Sequence, residues 1–215
     1  MDKTTSPPPP GLALLAQLDA LYPEARIALH FGSPLELLVA TMLSAQCTDE
    51  VVNRVTPALF ARYRTAADFA AAPQAELEKA IYSTGFFRNK AKHLRASCQL
   101  LVDAFGGQVP KTMEEMLRLP GVSRKTANIV LANAYGVVVG IPVDTHVKRL
   151  AGRLGLSAAR QPERIEADLM ALVPRKDWGR VSYALIAHGR ALCLARKPRC
   201  AQCPLAPTCP SAFKV

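Results

Sequence analysis

Cys193, Cys200, Cys203 and Cys209 stand at the spacing C-x6-C-x2-C-x5-C. A C-x2-C step lets two thiolates reach one centre from a tight turn, and Pro198, Pro204, Pro207 and Pro210 restrict the loop around it. Four thiolates suit either tetrahedral zinc or a [4Fe–4S] cube, and the spacing leaves both open. Four unrelated free thiols are the alternative that this density disfavours. Between the first two cysteines lie Arg196, Lys197 and Arg199. A metal that pinned the loop would turn these charges outward, where they suit phosphate; the plainer reading is a solvated basic loop. Cys47 and Cys98 lie far away in apolar helical contexts and read as small core side chains.

A second candidate spans Met116 to Ala127. Pro120-Gly121 is a turn signal, and a helix resumes near Arg124. A helix–hairpin–helix of this kind leaves the first N–H groups of its second helix pointing outward. Such groups, helped by the helix dipole, bind phosphate and position a duplex without reading its sequence. Gly121, Ser123 and Arg124 are the residues placed to do so. The plain alternative is an ordinary helical corner.

The elements that must hold these groups read as helices. Ser33-Pro34-Leu35-Glu36 is a capping box with proline at the first helical position, followed by an apolar run to Leu43. Thr48 is an N-cap with Asp49 and Glu50 in the first turn, and Thr65 to Asp68 opens a short helix. Pro73 starts another that stops at Gly85. Residues 88–105 form a long helix ending at Gly106-Gly107. Thr112 and Glu115 make a second capping box. Asp144 caps a helix through Arg153, and residues 162–173 and 178–192 complete the set. Val137-Val138-Val139 is the one short β-like run. About ten helices and no repeat period predict an all-α protein.

Composition narrows the function. The chain has 215 residues, half of them hydrophobic and a fifth charged, which excludes a largely disordered or collagen-like chain. The formal charge is +10. Residues 1–138 carry 14 basic and 12 acidic side chains, whereas residues 139–215 carry 13 and 5. The second stretch is therefore the main electrostatic footprint for an anionic partner. The longest apolar stretch, Ala127 to Val143, is broken by Asn128, Asn133, Gly136, Gly140 and Pro142 and reads as core, so no membrane partner is expected. Residues 1–10 read as a mobile Pro-rich leader without signal-peptide features. A reducing, cytoplasmic compartment follows, where cysteines point to metal or redox chemistry before disulfides.

Taken together, these motifs resemble the endonuclease III branch of the helix–hairpin–helix DNA glycosylases. The resemblance runs from about Leu12 to Cys209. It is carried by Leu43-Ser44-Ala45-Gln46, by Leu119 to Val130, by Val143-Asp144-Thr145-His146-Val147 and by the four-cysteine loop, in that order. It implies a [4Fe–4S] cluster and two helical domains with a DNA-binding cleft between them. Residues 27–138 would form a six-helix barrel carrying the hairpin; residues 11–26 and 139–215 would form the cluster domain. Ser123 stands where the family usually has a second hairpin glycine, and serine is a good N-cap.

The resemblance also implies a catalytic pair, Lys125 and Asp144. A lysine attacks only as the neutral amine, and an unperturbed lysine has a pKa of about 10.4. The first turn of a helix and the neighbouring Arg124 both oppose an ammonium there. Asp144 would assist proton transfer and stabilise positive charge on the sugar, besides capping its helix. The implied enzyme is a bifunctional glycosylase and AP lyase that removes oxidised pyrimidines from duplex DNA, a monomer associated with the bacterial nucleoid. A base inside a duplex must first be flipped out. By the same resemblance Gln46 would plug the gap and Phe86 would wedge beside it, unless Phe86 and Phe87 are both core anchors. His146 is either a DNA contact or a helix-surface histidine. Two further readings compete: a non-catalytic DNA-binding module scaffolded by a four-cysteine metal site, and an iron–sulfur electron carrier. Lys125 with Asp144 separates the enzyme from the module. The basic charge and the large helical remainder argue against the carrier.

Overall fold

The computed structural model describes residues 10–215. The expected leader therefore lies outside the described residues, apart from Pro10, where the first helix begins. In chain order the helices are α1 (Pro10–Leu21), α2 (Pro34–Leu43), α3 (Asp49–Arg62), α4 (Ala66–Ala71), α5 (Gln74–Ala80) and α6 (Phe87–Phe105). They continue as α7 (Met113–Met116), α8 (Arg124–Tyr135), α9 (Thr145–Arg153), α10 (Pro162–Leu172) and α11 (Trp178–Ala191). Short 3-10 turns occupy Tyr82–Thr84, Arg175–Asp177 and Cys200–Gln202. Among the described residues no strand forms. Val137 and Val139 instead pack half-buried against a core in irregular backbone, since a lone extended run has no strand to pair with.

Most helices start where a short polar side chain can accept the third amide of the turn. Ser33, Thr48, Thr65, Thr112, Ser123 and Asp144 each do so. Only Thr65–Asp68 is a full reciprocal box, with the Asp68 carboxylate accepting the Thr65 amide at 2.8 Å. The two boxes expected elsewhere are half-made. Glu36 turns back one residue further and accepts the Gly32 amide at 2.6 Å. Glu115 accepts the Thr112 hydroxyl rather than its amide. The helix that Thr112 opens is only four residues long, because the hairpin follows immediately.

The described residues divide into two compact units, Ile27–Val139 and residues 10–26 with Gly140–Val215. In the first, Leu37 to Leu43 are all buried, so α2 is apolar on every side and forms the centre. It packs against α3, α6 and α8, while α4 and α5 lie on α6. Phe69, Leu77, Leu94, Leu101, Met116 and Leu131 fill the space between them. In the second, α11 packs on α9 and α1 around Leu18, Leu150, Leu169 and Leu185. Beyond α11 the chain has little regular structure and carries the four spaced cysteines.

Candidate functional site

The hairpin closes with the Val122 amide on the Leu119 carbonyl at 3.1 Å, both side chains buried. Gly121 has φ +78°, a left-handed backbone that disfavours any Cβ. It also rests on His93 of α6: a Cβ at Gly121 would sit 2.8 Å from the His93 Cβ. Ser97, one turn along α6, donates its hydroxyl to the Pro120 carbonyl at 2.5 Å. Serine at the expected second glycine keeps the hairpin intact and adds a cap, its Oγ accepting the Thr126 amide at 3.2 Å. Lys125 follows as the second residue of α8, exposed, with Arg124 half-buried before it. Gly121→Ala is therefore expected to cost about 2 kcal/mol, roughly 4–8 °C in Tm, and to weaken binding to damaged and undamaged duplex alike. Calorimetry and a binding titration check this, and an unchanged melting curve would refute the steric argument.

Two other expected residues lie beside this hairpin. Gln46, just after α2, and Phe86, just before α6, are non-glycine residues with φ +52° and +48°. Both are exposed, Phe86 to 62%. Phe87 turns inward against the core, its ring 4.8 Å from that of Tyr82. The aromatic pair is thus divided, one ring presented and one anchored. Gln46, Phe86 and Gly121 share the lining of one cavity of about 170 Å³ with Asn89, Lys90 and His93.

Asp144, His146 and the cysteines belong to the other unit. Asp144 caps α9, its Oδ1 accepting the Val147 amide at 2.8 Å. His146 lies half-buried with its Nδ1 3.2 Å from Arg149 Nη2. Burial pushes the His146 imidazole below its ordinary value. Asp144 pulls it up, Arg149 and Arg190 push it further down, and a hydrogen bond with the Gly189 backbone raises it. The net direction is down, which favours the neutral ring.

α9 also reaches the cysteine loop. Arg149 donates from Nη2 to the Gly189 carbonyl at 3.0 Å and to the Cys193 carbonyl at 3.0 Å. Arg153 Nη1 lies 3.4 Å from Cys193 Sγ and donates to the Leu194 carbonyl at 2.7 Å. Buried His188 of α11 stands between the Tyr22 hydroxyl, 3.0 Å from its Nδ1, and Cys203 Sγ, 3.5 Å from its Nε2. Sequence reasoning missed Arg149, Arg153, His188 and Tyr22. The arginines at an i, i+4 interval after Asp144 were the one visible sign.

Cys193, Cys200, Cys203 and Cys209 are all half-buried, form no disulfide and line one cavity with Leu154, Leu192 and Pro198. Burial pushes the Cys203 thiol up, a backbone hydrogen bond with Leu205 lowers it, and Cys193, Cys209 and Cys200 push it up again. Four thiolates held together there repel one another unless a cationic centre lies among them. Among the described residues no three His, Cys, Asp or Glu side chains are set to hold a single metal ion. Arg196, Lys197 and Arg199 are exposed on the same loop.

Comparison with known proteins agrees with this geometry. The family described as HhH-GPD superfamily base excision DNA repair protein matches residues 39–175. Endonuclease III of Synechocystis sp. is 57% identical over 199 residues, which cover 93% of this chain and 91% of the relative. Endonuclease III of Bacillus subtilis is 44% identical over 196 residues, covering 91% and 89%. The chain belongs to the endonuclease III family. A solved structure of an endonuclease III trapped as a covalent intermediate with DNA, in an estranged-adenine complex, superposes with a TM-score of 0.90. Its sequence is 42% identical, over 93% of this chain and 94% of that one. The all-helical architecture is thus that of the endonuclease III fold, and it includes the hairpin and the Cys-bearing C-terminal segment.

Proposed function

We propose that this endonuclease III uses Lys125 as nucleophile and Asp144 as its charged partner to remove oxidised pyrimidines from duplex DNA. The activity class, a base-excision DNA glycosylase with AP lyase activity, follows from family membership. The observation that carries the residue assignment is the hairpin itself. Gly121 and Ser123 shape a helix start that attracts phosphate, and the second residue of that helix is an exposed lysine.

The duplex is held by phosphate contacts at the hairpin and at Arg196, Lys197 and Arg199, and the damaged nucleotide is extruded. Gln46 fills the gap against the orphaned base, and Phe86 wedges between neighbouring steps. The neutral Lys125 amine attacks C1′, and the C1′–N1 bond breaks as the base leaves with its electron pair and collects a proton. The Asp144 carboxylate offsets positive charge on the sugar. Opening of the sugar gives a protonated imine between Lys125 Nζ and C1′. That imine acidifies the C2′ proton. Its removal expels the 3′ phosphate by β-elimination, and water releases Lys125.

The four thiols fit an iron–sulfur cluster. Four soft donors line one cavity, which suits a zinc ion or a [4Fe–4S] cube alike, and membership of the endonuclease III family is what favours the cluster. Cys193, Cys200, Cys203 and Cys209 would hold the cluster, which would supply folding energy to the loop carrying the three basic residues. The substrate implies work at the chromosome, in the bacterial cytoplasm, by a monomer. Among the described residues no helix is long and apolar enough to cross a membrane.

Asp144→Asn separates charge from cap. Asparagine caps a helix about as well as aspartate, so Tm should stay within a few degrees of wild type. Excision from a duplex bearing one thymine glycol should slow by about 10²–10⁴-fold. Single-turnover cleavage on a denaturing gel measures it. An undiminished rate would leave Asp144 as a helix cap only.

A further inference from the structure

Beneath the exposed Gln46 and Phe86 lies a cation that the mechanism above does not use. Lys90 sits in the first turn of α6 and is only 7% exposed. That is the unfavourable end of a helix for a positive charge. Burial pushes the Lys90 ammonium down from the ordinary lysine value, while Cys47 pulls it up. Two backbone carbonyls compensate. Nζ donates to the Leu43 carbonyl at 2.7 Å and to the Thr84 carbonyl at 2.8 Å.

Both acceptors have structural meaning. Leu43 ends α2, and its carbonyl is among those a helix C-terminus leaves without an intrahelical partner. A cation there matches the negative pole of the helix. Thr84 closes the 3-10 turn that precedes Gly85 and Phe86. Gln46 comes three residues after Leu43, and Phe86 comes two after Thr84. Lys90 therefore grips both segments just before their left-handed residues. Each such residue costs about 1–3 kcal/mol and persists only where its surroundings over-determine it. The remaining lining of the shared cavity, Met42, Ala45, Asn89 and His93, adds no second lysine and no arginine.

We propose that Lys90 is a positioning residue that sets the spacing and aim of Gln46 and Phe86, and so governs how well they fill the gap left by an extruded nucleotide. The proposal rests on the plug-and-wedge reading of those two residues. Its bonds to carbonyls distinguish Lys90 from a second nucleophile. Lys90→Met keeps the length of the side chain and removes its donors, leaving two buried carbonyls unsatisfied.

The test is a double-mutant cycle on the full chain. The probe is a duplex with a tetrahydrofuran abasic analogue opposite 2-aminopurine, with an undamaged duplex at the same salt as control. Lys90→Met should bind the abasic duplex about tenfold more weakly and show a smaller 2-aminopurine fluorescence change, with undamaged binding unchanged. In a Gln46→Ala/Phe86→Ala background the same substitution should cost less than about twofold. An equal cost in both backgrounds, or an equal loss on undamaged DNA, would overturn the proposal and leave Lys90 a structural residue. A Gln46→Ala/Phe86→Ala protein that binds the abasic duplex like wild type would bring down the plug-and-wedge reading, and the proposal with it. Lys90→Gln, which can still donate to one carbonyl, serves the same cycle if Lys90→Met does not fold.

Discussion

Lys125→Ala leaves a protein that still binds duplex DNA but yields no borohydride-trapped adduct with an abasic site. Only an amine that bonds to C1′ can be fixed to DNA by reduction of the imine, so removing the nucleophile removes the adduct entirely. Strand cleavage should fall by at least about a thousandfold, because no neighbouring group replaces a covalent nucleophile. Folding should be nearly untouched. The side chain is exposed, and alanine is a good helix former. Adduct formation on a denaturing gel and peptide mapping of the wild-type adduct read the result. An alanine variant that traps as well as wild type, or a wild-type adduct mapped elsewhere, would remove Lys125 from the mechanism.

Cys203→Ser is expected to have the second largest effect, and to act on folding. The segment after α11 has one short 3-10 turn, and Leu205 is its one deeply buried apolar anchor among the described residues. So little buried apolar surface cannot offset the backbone entropy of ordering the loop. A metal site would contribute the missing free energy. Wild-type protein should be brown, with about four iron and four acid-labile sulfide per chain. Cys203→Ser should lose most of both and melt far below wild type. A colourless wild-type protein holding zinc would overturn the cluster assignment.

Local chemistry was the readable part of this molecule. The caps at Ser33, Thr48, Thr65, Ser123 and Asp144 announce themselves because donor and acceptor lie three residues apart. The reciprocal half of each box was less legible, because Glu36 and Glu115 had other acceptable partners within reach. The presentation of Phe86 was an expectation of the resemblance and not of the residues themselves, since it depends on a left-handed residue that no residue type signals when it is not glycine. Lys90, Arg149 and Arg153 were hidden for another reason. Each reaches at least one backbone carbonyl 40 or more residues away, and a carbonyl leaves no trace in composition or spacing.

The two cysteines outside the loop differ sharply in chemistry. Cys98 is enclosed in the core, where burial pushes its thiol up to about 12 and keeps it protonated at ordinary pH. Cys47 lies half-buried at the surface, directly after Gln46. If a cluster engages the loop cysteines, an alkylating fluorophore would find a single address, one residue from the Gln46 tip proposed to enter the helix gap. On the proposed plug reading, the native chain would carry its own attachment point for an optical reporter of nucleotide extrusion.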